Sequence, residues 1–74
     1  MTVERIRSEM AATVTRVEAS VGDDVIEGAT LVVLEAMKME MPVTAPVAGR
    51  VVELPVAAGA LVATGDLLVA LERD

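Results

Sequence analysis

The chain has no cysteine, no histidine and no aromatic residue. Without cysteine there is neither a disulfide nor a thiolate nucleophile. Without histidine the commonest general base, the Ser-His and Cys-His pairs and the commonest metal ligand are all missing. No catalytic constellation and no metal site is therefore expected. The lack of aromatics removes the stacking platforms that hold single-stranded nucleic acid, and it leaves the core to Val, Leu, Ile, Ala and Met. Positive charge is also scarce: 6 basic residues stand against 12 acidic ones, for a net charge of -6. That balance lacks the basic footprint a nucleic-acid partner requires. The aliphatic runs are far too short to span a membrane. The segment from Met1 to Arg7 has no apolar stretch of the kind a secretory signal needs, so the expected location is the cytoplasm. At 74 residues the chain is expected to form one small domain, 1–74, with much of its surface wet.

What is present is a repeat. Sliding the sequence by half its 74 residues lays Val14 on Val51, Gly22 on Gly59, Val25 on Val62 and Gly28 on Gly65. Leu31, Val32, Leu34 and Glu35 then fall on Leu68, Val69, Leu71 and Glu72. The two Gly-x-x-Val-x-x-Gly spacings make coincidence the weaker account, and the copies are expected to be 1–37 and 38–74.

Each copy reads as β structure. Val17-Glu18-Ala19-Ser20-Val21 alternates with the period of a half-buried strand, and Leu54, Val56 and Ala58 repeat that phase. Val14 is out of phase with Val17, and Val51 with Leu54, which predicts a bulge or bend in each copy. Pro55 lacks a donor and is expected at an edge or an unpaired position. Turns are expected at Gly22-Asp23-Asp24 and Ala58-Gly59-Ala60, and Gly28 and Gly65 are expected in a conformation a Cβ would oppose. The runs Leu31–Leu34 and Leu67–Leu71 do not alternate. Periodicity alone allows a buried helix there, but their shortness and flanking glycines favour buried strands. Many short strands with regular turns predict an all-β flattened barrel or sandwich, and two like halves predict pseudo-twofold symmetry.

Between the halves lies Glu35-Ala36-Met37-Lys38-Met39. Lys38 is the only lysine in the chain. Strand-like runs on either side predict a β-hairpin presenting its amine at the tip. A chance match to five specified residues is expected at about one position in a few million at average residue usage. This pentapeptide resembles the attachment sequence of biotinyl domains, the carrier modules of biotin-dependent enzymes. The likeness extends over nearly the whole chain, through Gly22-Asp23, Val25, Gly28, Pro46, Gly49, Val51 and the segment Gly59 to Gly65. It implies a barrel-sandwich hybrid of two small antiparallel sheets, with biotin in amide linkage on Lys38 and Glu35, Ala36, Met37 and Met39 read by a biotin protein ligase. It further implies shuttling of carboxyl groups between biotin carboxylase and carboxyltransferase partners. The chain departs from the family at Ser8-Glu9-Met10-Ala11-Ala12, where many members have Ser-Pro-Met-Pro-Gly and only Ser8 and Met10 match. It also has no protruding insertion between Gly22 and Gly28 and no Pro/Ala-rich linker, as a stand-alone biotinyl domain would.

An ordinary lysine amine is almost wholly protonated at neutral pH, and nothing close to Lys38 in sequence is suited to take its proton. Activation must come from a partner, so the expected role is a carrier and not an enzyme. Two alternatives stand beside it. A lipoyl carrier usually has Asp before the lysine and Ala after it, whereas Lys38 has Met on both sides. An unmodified lipoyl-like module serving only protein interaction is the other.

Overall fold

The computed structural model describes residues 2–74. The described residues form eight strands: β1 (Val3–Arg7), β2 (Ala12–Val17), β3 (Asp24–Val25), β4 (Thr30–Ala36), β5 (Met39–Thr44), β6 (Gly49–Glu53), β7 (Leu61–Val62) and β8 (Leu67–Arg73). They build two four-stranded antiparallel sheets, ordered β1-β8-β6-β3 and β5-β4-β2-β7. Adding half the chain length to the first four strands gives the last four. The same operation carries one sheet order onto the other.

The hydrogen bonds repeat at the same offset. Gly22 N–H donates to Val51 C=O at 2.8 Å, and Gly59 N–H to Val14 C=O at 2.7 Å. Gly28 N–H donates to Ala45 C=O and Gly65 N–H to Ser8 C=O, both at 2.8 Å. Gly28 and Gly65 share a φ of 89°, a left-handed conformation that glycine enters without steric cost. Ile6 pairs with Val69 across β1 and β8, and Val43 with Val32 across β5 and β4.

The two runs without alternation are the central strands β4 and β8, each with four consecutive buried residues. Leu31, Val32 and Leu34 from one sheet meet Leu68, Val69 and Leu71 from the other in a contiguous core that also holds Val14 and Val51. Val33 and Ala70, equivalent positions, are buried outside that cluster, so both faces of each run are covered. Burying one such Leu side chain contributes about 1.5–3 kcal/mol.

Register shifts fall between Val14 and Arg16 in β2 and between Val51 and Glu53 in β6, where the phase change in the sequence predicts a bulge. Beyond the bulges the structure departs from expectation. Residues 18–21 and 54–58 lie outside the strands although their alternation continues. In the first copy Glu18 N–H still donates to Leu31 C=O at 2.8 Å, but Ser20 N–H is then taken by the Asp23 carboxylate at 2.9 Å. That bond commits the backbone to a turn. In the second copy Pro55 has no N–H to pair.

Candidate functional site

Strands β4 and β5 form a hairpin whose pairing runs from Leu34 with Met41 through Glu35 with Glu40 to Ala36 with Met39. Only Met37 and Lys38 remain to make the turn, with φ of 53° and 65°. Two positive φ values in a two-residue loop are the signature of a type I′ turn, whose backbone matches the right-handed twist of the strands. Asn-Gly is the usual sequence for it. A side chain with a Cβ in that region costs about 1–2 kcal/mol, so the hairpin holds two residues in a conformation neither prefers.

The consequence is display. Met37 is 93% exposed and Met39 67%, and the Lys38 side chain stands exposed between them. Lys38 has no salt bridge among the described residues; the two ion pairs found there are Arg50–Asp24 and Arg73–Glu4. Glu35 and Glu40 face each other across the hairpin two residues behind the tip, a like-charge pair that opposes the pairing locally. Ala36 is half-buried and packs on the core, anchoring the base of the turn. All five residues singled out from the sequence are thus brought together, with four in solvent and Ala36 turned partly inward. Among the described residues no hydrogen bond or ion pair holds the amine, so it stands open to an approaching partner.

Sequence reasoning overlooked what lies beside the tip. An open groove of about 490 Å³ runs from Lys38 along the start of β2 to the edge strand β7, with Thr13, Leu61 and Val62 in its lining. Leu61 is 82% exposed. The available signal was a mismatch between the repeats: the residue equivalent to Leu61 is Asp24.

Comparison with known proteins gives the same result from sequence and from shape. The family model described as "Biotin-requiring enzyme", Biotin_lipoyl, matches residues 4–71. The biotinylated protein TB7.3 homolog of Mycobacterium leprae is 46% identical over 65 residues, covering 88% of this chain and 92% of the relative. The biotin carboxyl carrier protein of Streptococcus mutans is 42% identical over 62 residues, covering 84% of this chain and 48% of the relative. Among solved structures, a single-chain, multi-domain long-chain acyl-CoA carboxylase superposes with a TM-score of 0.91 at 44% identity, over 97% of this chain and 7% of that one. With the match running through all eight strands and the lysine hairpin, the chain belongs to the biotinyl/lipoyl attachment-domain family.

Proposed function

We propose that the protein is a biotin carrier in which Lys38 is the residue that takes biotin. The observation that supports this most is the placement of the chain's only lysine in a two-residue turn, exposed and free of ion pairs among the described residues. In attachment, a ligase supplies an activated biotinyl-adenylate. The Lys38 Nζ loses a proton and forms the amide C–N bond, while the bond from the acyl carbon to the phosphate oxygen breaks and AMP leaves. Biotin so held supplies a ureido nitrogen that carries a carboxyl group.

The chain's own contribution is position. Rigid strands on both sides of the turn hold the amine more precisely than a loop would. The tether keeps the carried group at high effective concentration in each partner active site. Glu35, Ala36, Met37 and Met39 form the surface that the ligase reads, the methionines offering soft apolar contact without polar cost. The partners that fit are a biotin protein ligase and the carboxylase and carboxyltransferase parts of a biotin-dependent carboxylase. The chain acts there as a carrier, not a catalyst, in the cytoplasm. Arg73 N–H donates to Thr2 C=O at 2.9 Å, so the chain's ends lie side by side. On the pseudo-twofold reading Lys38 stands at the opposite end from them, free to enter active sites if another domain is joined at either end.

Incubation with a biotin protein ligase, ATP and biotin is expected to add one biotinyl group, and none in Lys38→Arg. Labelling that survives in Lys38→Arg would sink the assignment. A Met37→Asp, Met39→Ala double variant imitates the lipoyl pattern and is expected to shift preference toward a lipoate ligase.

A further inference from the structure

The groove beside Lys38 has a twofold-equivalent place on the molecule, and the two differ in chemistry. Around the seam between the chain ends the equivalent positions carry Asp24, Arg50, Glu72, Arg73 and Asp74. Beside Lys38 the same positions carry Leu61, Thr13, Glu35, Ala36 and Met37. The cross-strand pair Asp24 with Arg50 is an ion pair at 3.3 Å, whereas its counterpart is Leu61 with Thr13. One backbone pattern therefore presents a charged surface in one place and a largely apolar one in the other. The apolar version is the one that contains the lysine.

We propose that this groove is a resting site for the acyl arm of Lys38 on the same chain; the inference rests on the carrier reading. The arm's methylene chain and fused bicyclic ring offer apolar surface that matches Leu61 and Met37, both exposed in the groove's lining. Its ureido group needs polar partners, and Thr13 offers a hydroxyl and Glu35 a carboxylate acceptor in the same groove. Acylation removes the Lys38 charge, so Glu35 becomes the only charged group of the lining. An open groove of this kind would hold free biotin poorly. A short tether supplies an effective concentration in the millimolar range, so even a millimolar intrinsic affinity keeps the arm docked about half the time. Docking folds the ring against the protein between encounters and releases it at no great cost when an active site competes.

The test compares ¹⁵N-labelled protein with and without biotin on Lys38, alongside Leu61→Asp, which copies the equivalent residue. Biotinylation is expected to move the amide signals of Ala11, Ala12, Thr13, Leu61 and Val62 as well as those of the tip, independently of protein concentration. In Leu61→Asp the groove signals stay in place while the tip signals still move. Streptavidin, which needs an extended arm, captures that variant about twice as fast if the parent arm is docked half the time. Leu61→Ala gives a second, milder variant, and thermal melting confirms that both fold. Shifts confined to the tip, groove shifts that persist in Leu61→Asp, or shifts that grow with protein concentration overturn the proposal. Because Lys38 is the only lysine, an active ester of biotin installs the same amide without a ligase, with Lys38→Arg as the blank for the N-terminal amine. Refusal by the ligase therefore counts against the carrier reading, while the ester-labelled protein still decides the groove.

Discussion

Two places on the molecule share one backbone plan and differ in what they present. At the hairpin tip, Ala36 and Met39 pair and the chain continues through Met37 and Lys38. At the seam, Arg73 and Thr2 take the same positions and the chain is open. The tip strains its backbone and exposes two methionines around one amine. The seam is edged with charges that pair among themselves, as in Arg73 with Glu4 at 3.4 Å and Arg50 with Asp24 at 3.3 Å. The comparison separates what the fold requires from what is added to it. The turn glycines, core leucines and bulges recur in both halves, so they serve the fold. Leu61, Met37 and Met39 beside the tip correspond to Asp24, Asp74 and Thr2 at the seam, so the fold does not explain their apolar character.

The largest effect tests the shared part. Leu31 and Leu68 are equivalent and both fully buried. Leu31→Ala and Leu68→Ala are each expected to cost about 3–5 kcal/mol. That approaches the whole stability of a domain this small, at roughly 0.05–0.15 kcal/mol per residue. Urea unfolding is expected to give nearly equal losses, and a large inequality would break the twofold account.

A smaller loss is expected where the copies differ in the core. Gly49 corresponds to Ala12, yet a Cβ on Gly49 would overlap the carbonyl oxygen of Glu72 and press on the Cα of Arg73. Both are backbone atoms and do not yield easily. Gly49→Ala is expected to cost about 2–4 kcal/mol, as overpacking does, and Ala12→Gly about 1 kcal/mol. Equal melting temperatures for the two variants would show that the seam is looser than its geometry.

At the tip the expected sign reverses. Asn tolerates the left-handed conformation that Met37 adopts, so Met37→Asn is expected to raise stability by about 0.5–1 kcal/mol. Met37→Thr, β-branched, is expected to lower it by about 1 kcal/mol, and both are expected to slow biotinylation. Denaturation midpoints and labelling rates measured together separate the two effects. An Asn variant less stable than the parent would mean that the turn is not strained.

The smallest effect is at the seam's surface. The Asp24–Arg50 side chains are 77% and 62% exposed. Asp24→Leu with Arg50→Thr, which copies the tip, is expected to change stability by only a few tenths of a kcal/mol, less still in high salt, because solvent screens such pairs.

Much of this plan was legible in the sequence. Gly22, Gly28 and their partners mark turns because φ near 90° disfavours other residues. The pentapeptide Glu35 to Met39 stands out because it holds the chain's only lysine. Two features were harder to read. The alternation of Val17 to Val21 continues past the end of β2, because Ser20 N–H bonds to the Asp23 side chain in place of a neighbouring strand. The type I′ turn has no local signal, since Met-Lys lacks the Asn-Gly that would announce it. The groove was invisible for another reason: Leu61 reaches Lys38 only through the fold, because β7 pairs with β2 beside β4. Only the contrast with Asp24 hints at it.

The central claim is that Lys38 carries biotin, and trypsin tests it most directly. Trypsin cuts after arginine and free lysine but not after an acylated lysine. Digestion of protein from its native cell, with mass spectrometry, is expected to give one peptide from Val17 to Arg50 heavier by a single biotinyl group. Finding instead the two fragments Val17 to Lys38 and Met39 to Arg50, with no biotinylated peptide, would contradict the account.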